Sequence, residues 1–186
     1  MNTKSSLVIL CSCLLLLTAQ AFSAARAAKK DFFTRSGDWI QVLLPLSTAS
    51  RLYRAGAYTD LYSFTAANMT TGLQTHALKH LIHSKRPNGG KHSFPSGHTS
   101  FVFSSPSYLF FRYGAQESML EFILASTVAA SRVHGLYHHT RDVLAGAILA
   151  AANQYFFYHH YQLTLLPKPH GISLHYLITP QRVSRQ

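Results

Sequence analysis

Basic residues, histidines and turn-forming residues concentrate in the segment KRPNGGKHSFPSGHTSF at residues 85–101. Arginine can bind a phosphate through two parallel hydrogen bonds, and lysine adds a point charge. The Pro-Ser-Gly-His turn precedes an apolar run, so its backbone amides would stand at a helix N-terminus, where anions bind. The segment therefore predicts one side of an anion-binding site. The simpler alternative is a basic surface loop between two helices.

Three groups of residues could act together on such an anion. They are Lys79 and Arg86, then Ser96, Gly97 and His98, then Arg132, His138 and Asp142. The lysine and the arginines supply positive charge, the glycine lets the backbone approach closely, and the histidines can transfer protons near neutral pH. Asp142 follows His138 by four residues, a helical spacing that lets the carboxylate hold the imidazole in one tautomer. These residue types predict chemistry on a phosphate group.

Helical periodicity predicts the elements that must position these groups. Residues 24–38 form a polar connector, and 39–50 form a short apolar segment interrupted by Pro45. A long helix over 58–83 ends near Lys85, because the residue before a proline disfavours helical geometry.

The second half of the chain is also predicted to be helical. Ser96 can cap a helix that runs to about residue 113, with a kink at Pro106 and a stop at Gly114. Two more helices cover 116–132 and 142–161, and the proline-broken C-terminal tail is peripheral. The predicted class is all-α, a compact helical bundle. Because the three groups lie at helix ends, antiparallel packing with short connections would bring them to one rim of the bundle.

The composition limits the class of partner. A chain of 186 residues suggests one domain, and its charge of +11 predicts an anionic partner. No nucleic-acid-binding module is recognisable, so we expect phosphate groups on lipids or small molecules and no nucleic acid. Charged residues make up only 12% of the chain, and the predicted helices approach the length that spans a bilayer. A membrane bundle with inward-facing polar residues and a soluble bundle both remain open.

The N-terminus predicts export or membrane attachment. Lys4 precedes the apolar run LVILCSCLLLLTAQAF, and small residues suited to cleavage follow. Residues 1–27 are therefore a signal peptide or an N-terminal membrane anchor, and 28–186 form the functional domain. The expected location is a bacterial cell envelope, either the inner membrane with the site facing the periplasm or, after cleavage, the periplasm. Both cysteines lie in the leader, so the mature chain would have no disulfide.

Three motifs carry a resemblance to a known family. KHLIHSKRP, PSGH and SRVHGLYHHTRD follow the spacings K-x6-RP, PSGH and SR-x5-H-x3-D. In this order they resemble the type 2 phosphatidic acid phosphatase (PAP2) superfamily, which includes bacterial lipid phosphatases, class A acid phosphatases and vanadium haloperoxidases. The resemblance covers residues 79–146, the motif core of the domain.

The resemblance implies a role for each matching residue. His138 would attack phosphorus and form a phosphohistidine, and Asp142 would orient it. His98 would protonate the leaving oxygen and then activate water. Five residues would hold the non-bridging oxygens: Lys79, Arg86, Ser96, Gly97 and Arg132. No metal and no cofactor is implied. Where family members often carry a Tyr-Pro-type pair after the nucleophile, this chain has His139 and Thr140.

Other residues have simpler explanations. The histidines at 76, 80 and 83 have helical spacing, but no cysteine or paired acidic residue completes a zinc site. His139 also has helical spacing to Asp142, although the x5 count from Arg132 selects His138 as the nucleophile. Lys85 and Lys91 are expected to be rim charges. The aromatic residues at 155–158 and 161 are expected to be core residues or a membrane-interface belt.

The sequence thus predicts a phosphomonoesterase that uses a phosphohistidine. Its substrate would be a membrane lipid phosphate such as phosphatidic acid, phosphatidylglycerol phosphate, an isoprenyl diphosphate or lipid A. The alternatives are a soluble periplasmic non-specific acid phosphatase, a non-catalytic protein that binds anionic lipids and, more distantly, a haloperoxidase. The sequence does not indicate an oligomeric state.

Overall fold

Six helices and a hairpin make up the computed structural model, which describes residues 32–160, 162–168 and 171–177. In chain order the helices are α1 (Phe32–Arg54), α2 (Tyr58–Leu81), α3 (Gly97–Val102), α4 (Ser104–Tyr113), α5 (Ala115–His134) and α6 (Thr140–His160). Strands β1 (Gln162–Lys168) and β2 (Gly171–Leu177) pair antiparallel after the bundle. The prediction of an all-α bundle is confirmed, and the hairpin is an addition that the sequence patterns did not predict. The predicted leader lies outside the described residues.

Helix α1 is longer than predicted. The polar connector and the short apolar segment were expected to be separate, but one helix begins at Phe32 and continues through Pro45 to Arg54. Pro45 and its neighbour Leu44 are buried against the bundle, and α1 packs on α5 and α3. Tertiary packing therefore outweighs the cost of a proline inside the helix.

The helix expected over 97–113 is divided into α3 and α4 at Phe103, so the prediction of one kinked helix was wrong. Pro106 occupies the third position of α4. The first amides of a helix have no intrahelical acceptor, so a proline costs little there. The break therefore precedes the proline. Ser96 is the N-cap of α3 and accepts a hydrogen bond from the Thr99 amide at 3.4 Å, and Gly114 follows α4 with φ +92°.

Two apolar clusters form the core between the helices. One joins α1, α3, α5 and α6 mainly through small and medium side chains, and the other surrounds the fully buried Tyr108 and Leu109 of α4. Alanines dominate the α5 and α6 contributions to the first cluster, which lets these helices lie close to α3. Among the helices of the described residues, none combines the length and apolar content that a membrane crossing requires.

Gly146 sets the distance between α6 and the turn that begins α3. A Cβ atom at this position would lie 2.6 Å from the Ser96 carbonyl oxygen and 3.1 Å from the Ser100 amide nitrogen. Both neighbours are backbone atoms and cannot rotate away. The missing side chain therefore allows the third motif to pack directly on the second.

The substitution Gly146→Ala is expected to lower the free energy of unfolding by about 1–3 kcal/mol, because it overpacks this contact. Gly72→Ala is the matched control, since Gly72 lies within α2 and a Cβ atom added to it would meet no atom within 4 Å. It is expected to raise the free energy of unfolding by about 0.5–1 kcal/mol through helix propensity alone. Urea unfolding followed by circular dichroism measures both. Equal effects of the two substitutions would contradict the close contact at Gly146.

Candidate active site

Lys79, in the last turn of α2, holds the loop that leads to α3. Its Nζ donates hydrogen bonds to the carbonyl oxygens of Pro95 at 2.7 Å and His92 at 3.0 Å. Burial, followed by the charge of Arg86, lowers the pKa of Lys79 to about 8. An ammonium group has three N–H donors, so one remains beyond these two carbonyls. Lys79 thus both shapes the loop and keeps a donor for an anion.

Arg86 stands on a tight turn formed by the Asn-Gly-Gly sequence. Its amide donates to the Gly90 carbonyl at 2.8 Å, its Nε donates to the Lys91 carbonyl at 3.1 Å, and the Asn88 side-chain oxygen accepts from the Gly90 amide. The Asn88 amide donates to the Leu136 carbonyl at 3.1 Å, which ties this turn to the loop after α5. The turn therefore presents Arg86 beside the third motif.

The second motif forms the buried start of α3. Ser96 is fully buried; its hydroxyl accepts from the Thr99 hydroxyl at 2.9 Å, and its amide donates to the Asp142 carbonyl at 2.8 Å. The hydroxyl and the amide of Ser96 thus already have protein partners in this arrangement. Gly97 and His98 supply the first amides of α3, which have no acceptor within the helix. Those two amides are better placed than Ser96 to meet an anion.

His138 is almost completely buried next to the carboxylate of Asp142 and the hydroxyl of Ser93. Its Nδ1 lies 3.5 Å from Ser93 Oγ and 3.8 Å from Asp142 Oδ2. Ser93 Oγ donates to the same carboxylate oxygen at 2.5 Å, and the amide of His139 donates to it at 2.9 Å. The carboxylate is therefore held firmly and faces Nδ1, which leaves Nε2 as the free nitrogen on the other side of the ring.

The surroundings of His138 keep its imidazole neutral. Burial, followed by the positive charges of Lys79 and Arg86, lowers the pKa of His138 to about 3. A neutral imidazole has one unprotonated nitrogen and can act as a nucleophile. The same cations would stabilise an anion that enters the site. His138 is thus in the protonation state that attack requires across the neutral and mildly acidic range.

Asp38 of α1 joins His98 to Arg132. Its Oδ1 accepts a hydrogen bond from Arg132 Nη1 at 2.7 Å and lies 3.1 Å from His98 Nε2. Arg132 is buried; it also donates through Nη2 to the Thr34 carbonyl and through Nε to Ser131 Oγ at 3.0 Å. The N-terminal half of α1 is therefore part of the site.

The pKa of His98 reflects the same neighbours. Burial is the largest influence and lowers it, Arg132 lowers it further, and the hydrogen bond and charge of Asp38 raise it. Arg86 also lowers it from the loop after α2. His98 is partly exposed, so this histidine can exchange protons with a bound molecule or with water.

The structure thus brings the three predicted groups together at one end of the bundle, through contacts between the second and third motifs and through the charges that Lys79 and Arg86 exert on His138. Sequence reasoning missed Asp38, Thr34 and Ser93. Asp38 and Thr34 fell in the segment interpreted as a connector, and Ser93 precedes the recognised motif by two residues. Asp38 is one of only six acidic residues in the chain, which is the one sequence signal that it carried.

Four further histidines, in the second half of α2 and the loop that follows it, form a cluster of rings beside the site. His76 and His80 have ring centroids 4.5 Å apart, and His92 lies 5.0 Å from His80 and 6.0 Å from His83. Within residues 32–160, no group of three or more histidine, cysteine or acidic side chains is arranged to hold a metal ion. His139 Nε2 lies 3.1 Å from the Lys85 carbonyl oxygen, away from the Asp142 carboxylate that its own amide contacts.

The aromatic residues at the end of α6 divide between core and surface. Tyr158 packs edge-on against the buried Tyr108, whereas Tyr155 and Phe156 are exposed. Tyr161 lies outside the described residues.

A family model matches residues 77–164, which is slightly less than half of the chain. The model is that of the PAP2 superfamily. The matched segment includes all eight candidate site residues of the three motifs, and Asp38 and the rest of α1 precede it. No curated protein and no solved structure matches the chain.

Proposed function

Because the chain belongs to the PAP2 superfamily through residues 77–164, we propose that it is a phosphatase that hydrolyses phosphomonoesters through a phosphohistidine. The superfamily includes phosphatases, which supports the reaction class. The observation that carries the proposal is the state of His138: a buried, neutral imidazole whose Nδ1 faces a carboxylate and whose neighbours are cations. These surroundings suit a histidine that acts as a nucleophile, and they differ from those of an ordinary surface histidine.

In the first step, His138 Nε2 forms a bond to phosphorus as the bond from phosphorus to the alcohol oxygen breaks. The Nδ1 proton faces Asp142, whose negative charge stabilises the ring as it becomes positive. His98 gives its proton to the leaving oxygen, so the alcohol departs neutral. The cations Lys79, Arg86 and Arg132, together with the first amides of α3, stabilise the charge on the non-bridging oxygens.

In the second step, water replaces His138 on phosphorus. His98, now neutral, removes a proton from that water as the oxygen attacks. The N–P bond breaks, inorganic phosphate leaves, and both histidines return to their starting states. No further reactant is needed for the cycle.

We propose that the substrate is a membrane lipid phosphate. Large apolar side chains are exposed along one stripe of α1, including Trp39 (72%), Leu43 (56%) and Leu46 (60%). They have the spacing of a single helix face, and the neighbouring Asp38 lies in the site. An apolar surface of this kind beside a phosphate-binding site suits a substrate whose alcohol part is embedded in lipid. The proposed location is a bacterial cell envelope, with the site on the periplasmic side.

The test compares kcat/KM for phosphatidic acid in mixed micelles with that for soluble phosphomonoesters such as p-nitrophenyl phosphate. A lipid enzyme is expected to prefer the micellar substrate at least about tenfold, since burial of acyl chains adds binding energy. Equal values, together with release of the activity by osmotic shock without detergent, would favour the soluble acid phosphatase instead. Binding of anionic lipid with no phosphate release from any substrate would favour the non-catalytic alternative.

A further inference from the structure

Asp38 reaches the site because α1 lies unusually close to α5. A Cβ atom on Gly37 would lie 2.5 Å from Ser131 Oγ and 2.6 Å from Arg132 Nη2, so any larger residue at this position would have to displace these two side chains. The Arg132 guanidinium bonds to both the Thr34 carbonyl and the Asp38 carboxylate of α1. The carboxylate is thus anchored on one side by a buried arginine and faces His98 on the other.

The contact with His98 has a definite chemical consequence. An ionised carboxylate only accepts hydrogen bonds, so the His98 nitrogen that faces Asp38 Oδ1 at 3.1 Å, Nε2, must carry a proton. In neutral His98 the lone pair is then on Nδ1. Nδ1 is therefore the nitrogen that can give a proton to a leaving oxygen and take one from water.

We propose that Asp38 is a positioning residue for His98, which keeps Nε2 protonated and directs proton exchange through Nδ1. The inference rests on the proposed function, and it concerns a residue outside the segment that the family model matches. Asp38 also offsets the positive charges of Arg132 and Arg86, which disfavour the protonated form of His98. Without Asp38, less of the general acid would be available at neutral pH.

The test uses the full chain and two substrates that differ in their need for a general acid. Departure of an alkyl alcohol requires protonation, whereas p-nitrophenolate leaves readily without it. Asp38→Asn is expected to lower kcat for an alkyl phosphate by about 10–100-fold and that for p-nitrophenyl phosphate by less than about threefold. It is also expected to shift the alkaline limb of the alkyl phosphate profile to lower pH by about one unit, since the lost carboxylate favoured protonated His98. Asp38→Glu is expected to restore part of the lost kcat for the alkyl phosphate and to reverse part of the pH shift.

Asp60→Asn is the matched control. Asp60 also pairs with an arginine across two helices, at 2.8 Å from Arg112 Nε, but this pair lies in the α2 and α4 region, away from the site. Asp60→Asn is expected to leave the ratio of the kcat values for the two substrates and the pH profile unchanged. If Asp38→Asn lowers kcat for both substrates by the same factor and does not move the pH profile, Asp38 only anchors Arg132, and the inference is wrong.

A measurement without turnover separates this inference from the proposed function. Nitrogen-15 NMR reports which imidazole nitrogen of His98 is protonated, with the signals assigned by their loss in His98→Asn. Nε2 is expected to be the protonated nitrogen in the neutral ring, and Asp38→Asn is expected to lower the pKa of His98. An inactive wild-type protein with these NMR results would refute the proposed function alone. A His98 signal that Asp38→Asn leaves unchanged would refute the positioning role alone.

Discussion

Replacing His138 with alanine is expected to lower kcat/KM for every phosphomonoester by at least about a thousandfold, because no other nucleophile takes its place. The imidazole is 3% exposed, neutral, and bordered by Asp142 and Lys79. Wild-type enzyme mixed with phosphorus-32-labelled substrate and quenched is expected to carry label that acid removes and alkali retains, as phosphohistidine does. His138→Ala is expected to carry none.

His139→Ala is the matched control for this prediction. The two histidines are adjacent, but the His139 side chain faces the Lys85 carbonyl, and His139 contacts Asp142 through its backbone. Alanine keeps that backbone contact. His139→Ala is therefore expected to retain kcat/KM within about threefold, as a rim substitution does. Loss of labelling in His139→Ala together with its retention in His138→Ala would show that the nucleophile is His139.

Arg132→Lys is expected to lower both activity and stability, although it preserves the charge. Lysine cannot reproduce the hydrogen bonds that Arg132 donates to Asp38, the Thr34 carbonyl and Ser131. Losing them is expected to lower kcat/KM by about a hundredfold and the free energy of unfolding by about 2 kcal/mol. Steady-state kinetics and urea unfolding measure the two effects separately.

Arg112→Lys provides the comparison. Arg112 pairs with Asp60 at 2.8 Å and lies 5.3 Å from the ring of Tyr113, much as Arg132 pairs with Asp38 and lies 5.6 Å from the ring of Tyr137. Arg112→Lys is expected to cost about 1 kcal/mol of stability or less and to change kcat/KM by less than about twofold. If Arg132→Lys loses stability but retains kcat/KM, Arg132 holds α1 in place without stabilising the transition state.

Local signals in the sequence were sufficient for the helical class and for most helix positions. Apolar periodicity over 58–83 predicted α2, which ends at Leu81, and the capping hydroxyl of Ser96 predicted the start of α3. The failures also have local causes. Pro106 suggested a kink within one helix, but the first turn of a helix accepts a proline, so the chain breaks at Phe103 instead. Polar residues before Trp39 suggested a connector, although packing on α5 makes them helical.

The sequence by itself predicted which residues would act on a phosphate group, because the three motifs keep their spacing along the chain and each spacing is local. The tertiary structure alone decided what surrounds those residues. Asp38 meets Arg132 across 94 positions and His98 across 60, and Ser93 meets Asp142 across 49. Such contacts depend on how closely whole helices pack, and here Gly37 and Gly146 stand at the close contacts. The apolar periodicity of a single segment carries no information about the distance between two helices.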